Sequence, residues 1–147
     1  IPNVTSHEYL TNSVHVPVWQ KISIYDKLRI EAPFTKYATS GCITYIELES
    51  TFVQNTKAVE DIIDYAFDVL DIPYLAFNFP IDSCLDCGYQ GEFNNECPEC
   101  GSKNIQQLRR VTGYLTTDYR NFNEGKQAEV EERVKHIAYT SFGDEEK

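Results

Sequence analysis

Residues 84–100 read CLDCGYQGEFNNECPEC, which places two Cys-x-x-Cys pairs nine residues apart. The two-residue gap within each pair lets both sulfurs point inward from one tight turn. Gly88 and Gly101 follow the second cysteine of each pair, and glycine can adopt the positive φ that turns backbone N–H groups toward the sulfurs. Four thiolates in a closed set are typical of structural Zn²⁺, whereas two disulfides or four free thiols are the alternatives. The predicted zinc ligands are Cys84, Cys87, Cys97 and Cys100.

The charge and length of the chain limit its possible functions. The chain has 147 residues and a formal net charge of −10, whereas a general nucleic-acid binder carries a basic face. We find no apolar run long enough to span a bilayer and no secretory signal. Cysteines at zinc spacing suit a reducing compartment. We therefore predict a cytoplasmic protein with neither nucleic-acid nor membrane partners. The start at Ile1 and the lack of methionine predict a fragment or a processed piece.

Upstream of the cysteines, the chain alternates between strand and helix patterns. Residues 14–18 predict a short strand that Pro17 limits to an edge or a bulge. Residues 25–40 mix charge, proline and turn formers and predict a loop or a broken helix. Residues 42–48 are nearly continuously apolar, which predicts a strand that is covered on both faces.

The next segment changes to helical periodicity. Apolar residues between Val59 and Leu70 recur at helical spacing, Asn55 or Thr56 can cap the start, and Pro73 stops the helix. Residues 74–79 predict another buried strand. Strand, crossover helix and strand form a parallel βαβ unit, which needs further strands beside it.

Residues 81–104 form the predicted metal-bound knuckle, whose polar spacer is too short for a core of its own. Residues 105–123 follow, and a helix is predicted from Glu124, with Val130, Val134 and Ile137 on one face. Acidic residues lie toward the start of this helix. Basic residues from Arg133 onward lie toward its end, in the order that the helix dipole favours.

The strings RVTGYL at 110–115, FNEGK at 122–126 and RVKH at 133–136, with Glu129, form a further pattern. Together with the four-cysteine knuckle, this pattern resembles the carboxy-terminal glycyl-radical segment of the anaerobic (class III) ribonucleoside-triphosphate reductases. The string YLTNS at 9–13, with His15 and Val18, and the string Pro80-Ile81-Asp82 also resemble that family. The likeness covers nearly the whole chain.

The resemblance implies an α/β fold that contains the last strands and helix of a ten-stranded glycyl-radical barrel. The predicted divisions are 1–80 for the barrel part, 81–104 for the zinc knuckle, and 105–147 for the radical loop and carboxy-terminal helix. It also implies an allosteric homodimer that reduces ribonucleoside triphosphates to deoxyribonucleoside triphosphates without oxygen, for DNA replication. The thiyl cysteine and the allosteric site would lie on the remainder of the reductase chain.

By the same resemblance, Gly113 stores the catalytic radical. A separate iron–sulfur activase that cleaves S-adenosylmethionine would generate it. A glycine Cα radical is planar and lies between an amide nitrogen and a carbonyl, so its spin is delocalised, and a side chain would clash with the flanking peptide units. The resemblance therefore agrees with the chemistry of the residue type.

Other residues receive structural interpretations. Cys42 is predicted to be a small core residue rather than a thiyl site. Arg109 and Arg110 are predicted to lie on a solvated turn, with phosphate binding as the alternative, and Tyr114 is predicted to pack beside Gly113 rather than relay the radical. The histidines are predicted to be surface or hydrogen-bonded groups. They are His7, His15 and His136. Asn12 and Ser13 are predicted to line the substrate barrel.

Two other classes of protein remain open at this stage. One is a stand-alone zinc-ribbon interaction module, in which Gly113 is only a turn residue. The other is a small replacement subunit that restores a glycyl-radical enzyme after oxygen has cleaved it.

Overall fold

The computed structural model describes residues 7–11, 14–39, 41–49, 55–93, 95–111 and 113–136. These residues form two compact units. One contains residues 7–10 and 79–133, and the other contains residues 11–78 and 134–136. The first is built on a four-stranded sheet and the second on a two-stranded parallel sheet.

The two-stranded unit contains the predicted parallel βαβ motif. Its elements are β1 (Thr44–Glu47), α2 (Thr56–Asp64) and β2 (Leu75–Asn78). The Asn55 side chain caps α2 by accepting the Ala58 N–H at 3.1 Å. A π-helical turn at Tyr65–Val69 extends this helix before Pro73. The sequence prediction of strand, crossover helix and parallel strand is confirmed.

The core of this unit lies between the sheet and the helices. Ile46 of β1 and Ile62 of α2 are almost fully buried. By contrast, all four residues of β2 are half-buried, so the prediction of a fully buried second strand is wrong for this chain. Within the described residues β2 has one strand neighbour, β1, which explains the partial exposure.

A continuous helix, α1 (Ile24–Thr35), occupies most of the stretch predicted as loop or broken helix. Ser23 caps it by accepting the Asp26 N–H at 3.1 Å. Inside the helix, the buried Lys27 Nζ lies 2.5 Å from Glu31 at i,i+4 spacing. The prediction failed because composition gives no weight to such a buried pair, and because Pro33 lies near the helix end.

Residues 14–18 do not form the predicted strand. The chain turns there, and the Pro17 carbonyl accepts the Gln20 N–H at 2.9 Å. The segment after α3 lies along the edge of β1 that faces away from β2. There the His136 N–H donates to the Glu47 carbonyl at 2.9 Å.

The four-stranded unit carries the cysteine motif and the glycine motif on one antiparallel sheet. Its strands, in the order β4-β3-β5-β6, are β3 (Ile81–Cys84), β4 (Gln90–Gly91), β5 (Ile105–Val111) and β6 (Tyr114–Thr116). A 3₁₀ turn at Tyr119–Asn121 leads to helix α3 (Glu124–Glu132), which Asn123 caps. The prediction of a helix from Glu124 is confirmed.

Helix α3 is shorter than predicted. Arg133 is already extended, with ψ of 125°, so Val134 lies beyond the helix rather than on its apolar face, and His136 lies beyond the helix rather than in its last turn. Ile137 lies outside the described residues. The last turn contains no basic residue, so the predicted dipole arrangement at the carboxy end is wrong. Backbone hydrogen bonds of Val134 and His136 to other segments take the place of further helical turns.

Candidate metal centre and glycine hairpin

The four cysteines of the two Cys-x-x-Cys pairs converge on one point. Their sulfurs all lie within 4.8 Å of one another, and the Cys84–Cys100 and Cys87–Cys97 pairs are each 3.6 Å apart. A disulfide would require about 2.05 Å. A metal with Zn–S bonds of ~2.3 Å in a tetrahedron needs sulfurs about 3.8 Å apart. The cluster therefore fits a tetrahedral metal ion such as zinc.

Each pair of cysteines sits on a tight turn of the same shape. Gly88 donates its N–H to the Cys84 carbonyl at 3.0 Å, and Gly101 donates to the Cys97 carbonyl at 2.9 Å. Their φ angles are +78° and +70°, a region that glycine adopts without strain. The positive φ predicted for both glycines is confirmed.

Backbone N–H groups point at the sulfurs, as the positive φ predicted. Those of Cys87 and Asp86 lower the pKa of the Cys84 thiol to about 7. The N–H of Tyr89 is directed at Cys87, and that of Ser102 at Cys100, and each donor favours the thiolate, which is the ligand form that a metal needs. At these two thiols, however, burial and the neighbouring cysteines outweigh the donors and raise the pKa.

Polar contacts also join the two turns. Asp86 in the first turn accepts hydrogen bonds from Ser102 and from Asn104 Nδ2, the latter at 2.8 Å. The Leu85 N–H donates to the Asn104 carbonyl at 2.9 Å. These bonds bring the second turn against the first without an apolar core.

Strand β5 connects the cysteine cluster to the glycine motif. Ile105 at its start lies opposite Cys84, and Val111 at its end lies opposite Tyr114. Six residue steps of a strand span about 20 Å. Gly113 therefore lies at the tip of a hairpin whose first strand begins beside the cysteine cluster.

Gly113 has no conformational or packing need to be glycine. Its φ is outside the left-handed region, and a Cβ built on it would have nothing within 4 Å. It is exposed, and so are its neighbours Tyr114 and Leu115, at 63% and 64%. The Tyr114 ring lies edge-on to Phe122, with centroids 6.4 Å apart. The tip is thus an exposed apolar hairpin end.

Arg109 does not lie on a solvated turn, so that prediction is wrong. It lies on β5 with a side chain only 18% exposed, and its Nη1 lies 2.6 Å from the carboxylate of Asp82. Asp82 is fully buried on β3. Nothing in the sequence pattern indicates this pair, because the two residues are 27 positions apart and either could have been a surface charge.

The remaining predicted residues are one cysteine and three histidines. Cys42 is only half-buried and is not part of the core, so its prediction as a core residue is wrong, and the burial that it has raises the pKa of its thiol. His7 lies 2.6 Å from Glu132, and His15 lies 3.1 Å from Glu31. His136 accepts the Glu47 N–H through Nδ1 at 3.0 Å, so all three histidines are hydrogen-bonded as predicted. Asn12 and Ser13 lie outside the described residues.

A buried ionic group was missed by the sequence reasoning. Glu31 is fully buried and accepts from Lys27 and from the Val16 N–H at 2.9 Å, with His15 beside it. Although burial alone raises the pKa of Glu31, hydrogen bonds and the Lys27 charge lower it further than burial raises it. The i,i+4 spacing of Lys27 and Glu31 was the available signal.

Comparison with known proteins decides the family. The family description "Anaerobic ribonucleoside-triphosphate reductase" matches residues 1–136. The chain belongs to the anaerobic ribonucleoside-triphosphate reductase family. Its relatives of that name include those of Escherichia coli, at 42% identity over 97% of this chain, and Haemophilus influenzae, at 44% over 93%. The relative from phage T4 is 37% identical over 92% of the chain.

A solved structure of an "Anaerobic ribonucleotide reductase" has the same fold over this segment. It covers 84% of the chain with a TM-score of 0.60 and 26% identity. The chain spans only about a fifth of the length of these reductases, 21% for the Escherichia coli protein and 19% for the solved structure. In the described residues, no helix has the length and apolarity to cross a membrane.

Proposed function

We propose that this chain is the radical-storing part of an anaerobic ribonucleotide reductase, with the radical on Gly113 and a structural Zn²⁺ on the cysteine cluster. The whole enzyme would reduce ribonucleoside triphosphates to deoxyribonucleoside triphosphates in the cytoplasm. The thiyl cysteine and the effector-nucleotide site would belong to the remainder of the reductase. Cys42 is half-buried, and we assign it a structural role rather than the thiyl.

The observation that carries this proposal is that, within the described residues of this chain, neither backbone conformation nor packing demands glycine at position 113. Gly88 and Gly101 need positive φ, and a Cβ on Gly125 would lie 3.3 Å from the Glu8 carbonyl oxygen. Gly113 has neither constraint, although it sits in the RVTGYL string that resembles the radical segment of the family. A chemical reason for glycine then remains, and a backbone radical supplies one.

The chemistry needs only the glycine backbone. Loss of one hydrogen atom from the Gly113 Cα leaves an unpaired electron between an amide nitrogen, which donates, and a carbonyl, which withdraws. The activase would take that hydrogen atom using S-adenosylmethionine. The protein's part is to present the Cα at an accessible point and afterwards to shield it.

The zinc would act through structure rather than chemistry. Four thiolates fill a tetrahedral set and leave no open position for substrate. The cluster also lies about 20 Å along β5 from Gly113. We assign the metal the role of fixing the root of the hairpin, with 81–104 as the knuckle and 105–147 as the radical loop and helix.

The exposed hairpin tip implies a covering surface on the rest of the enzyme. A stored radical must be kept from water and oxygen, yet Gly113, Tyr114 and Leu115 are exposed in this chain. Apolar side chains at the tip suit burial against the rest of the reductase. Residues 1–80 would supply the last strands of the ten-stranded barrel of that enzyme. The assembled enzyme would be a homodimer.

The test is electron paramagnetic resonance of the full-length reductase that contains this chain, after anaerobic activation. A glycyl radical keeps one hydrogen on Cα, so we expect a doublet that collapses when the protein is made with glycine deuterated at Cα. Enzyme without activase is the control and should be silent. A signal that does not respond to glycine deuteration would contradict the proposal.

A further inference from the structure

A buried carboxylate lies between the cysteine cluster and the glycine hairpin. Asp82 is on β3, the strand between β4 and β5, and is fully buried. Burying a carboxylate is costly unless its oxygens find donors or positive charges. The partners of Asp82 therefore identify what the side chain holds.

The two oxygens of Asp82 contact two different segments. Oδ2 accepts the Phe93 N–H at 2.8 Å, in the spacer between the Cys-x-x-Cys pairs. Oδ1 lies 2.6 Å from Arg109 Nη1, in an ion pair that is not also a hydrogen bond. One carboxylate thus connects the spacer to β5, the strand that leads to Gly113.

Arg109 is close to the tip of the hairpin. It lies opposite Thr116 of β6 and two residues before Val111, which pairs with Tyr114 across the Gly113 turn. Arg109 and Asp82 are diagonal neighbours on adjacent strands, since Asp82 lies opposite Gln107. A shift of this ion pair would move the base of the glycine turn relative to the cysteine cluster.

We propose that the Asp82–Arg109 pair is a positioning device that sets the hairpin so that the activase and the thiyl site can reach the Gly113 Cα. The inference rests on the proposed function and adds to it the two residues that hold the hairpin in a fixed position relative to the knuckle. Hydrogen-atom transfer depends steeply on distance and orientation, so a small displacement of the tip lowers the yield of radical.

The chain offers a matched control on the other side of the glycine. Asp118 and Arg120 form an ion pair of 2.7 Å that is exposed to solvent. Exposed pairs contribute little, whereas loss of one member of a buried pair leaves a charge without a partner. Asp82→Asn and Asp118→Asn therefore remove the same charge from two pairs that differ in burial.

The experiment measures zinc per chain and radical spins per chain in the activated full-length enzyme. The variants are Asp82→Asn, Arg109→Gln, the double variant and Asp118→Asn. We expect one zinc per chain in all of them, a radical yield about tenfold lower in both single variants of the buried pair, and an unchanged yield in Asp118→Asn. The radical yield of the double variant should be no lower than that of either single variant, because the two residues act as one unit.

Each other outcome overturns the inference. Loss of zinc in Asp82→Asn would make Asp82 part of the metal site instead. Wild-type yield in both single variants would remove the positioning role, and additive losses in the double variant would mean separate roles. A wild-type enzyme without a glycyl doublet would contradict the proposed function itself, and a wild-type doublet with unaffected variants would contradict this inference alone.

Discussion

The cysteine knuckle and the hairpin tip use glycine for different reasons. In the knuckle, Gly88 and Gly101 have φ of +78° and +70°, and their conformation turns N–H groups toward the sulfurs. At the tip, Gly113 has an ordinary φ and open space where a Cβ would be. A glycine that folding does not require is best explained by chemistry at its Cα. Substitution by alanine should therefore damage the two regions in different ways.

The largest effect is expected from Gly113→Ala. The variant should abolish nucleotide reduction in the full-length enzyme, because an alanine Cα radical cannot become planar without its methyl meeting the flanking peptide units. Zinc content should stay at the wild-type level and the fold should be retained, since within this chain the added methyl meets no atom within 4 Å. Turnover by this variant, or its unfolding, would contradict the claim that Gly113, unlike the knuckle glycines, is needed for chemistry and not for folding.

The second effect concerns the metal. Cys97→Ser should release the zinc and expose the amides of residues 81–104 to hydrogen exchange, because binding of a structural zinc contributes on the order of 10 kcal/mol to folding. Exchange in β5 and β6 should also rise, while β1 and β2 stay protected. A variant with full zinc content and unchanged exchange would show that the cluster is not a metal site.

A smaller effect is expected from Gly88→Ala. Alanine at φ of +78° is strained by about 1 kcal/mol, so zinc affinity should fall by roughly tenfold or less in competition with a chelator. Once zinc is saturating, the radical yield should return to the wild-type level. A yield that stays low at saturating zinc would mean that this glycine also acts at the hairpin.

The smallest effect is expected from Gly125→Ala, at the other glycine of the carboxy-terminal motif. Its Cβ would lie 3.3 Å from the Glu8 carbonyl oxygen, which opposes the gain in helix propensity in α3. We expect a net stability change below about 1 kcal/mol and activity within about twofold of wild type. Loss of activity with a retained fold would indicate that Gly125, and not Gly113, stores the radical.

Local signals predicted much of this fold. The spacing of the cysteines, the change from strand to helix period near Val59, and the cap at Asn55 each depend on neighbouring residues, and each is confirmed in the structure. The positive φ of the knuckle glycines also follows from the motif alone. These features need no knowledge of distant contacts.

The failures come from burial and pairing that the local sequence pattern does not show. Helix α1 contains the buried Glu31, which pairs with Lys27 one turn away and with His15 outside the helix, and α3 ends before the segment that meets Glu47. The Asp82–Arg109 pair joins two strands, so neither residue shows its role in the sequence pattern. From composition alone, charged side chains such as these are expected to be solvated. In the structure Glu31 and Asp82 are buried and paired.

Oxygen cleavage tests the central claim most directly. A backbone radical that meets O₂ should break the chain at its own position, so mass spectrometry of activated enzyme after exposure to air should find a carboxy-terminal fragment that begins near Tyr114. Enzyme that was never activated should remain whole under the same exposure. A fragment that begins near Lys126, or an activated chain that stays intact in air, would contradict storage of the radical on Gly113.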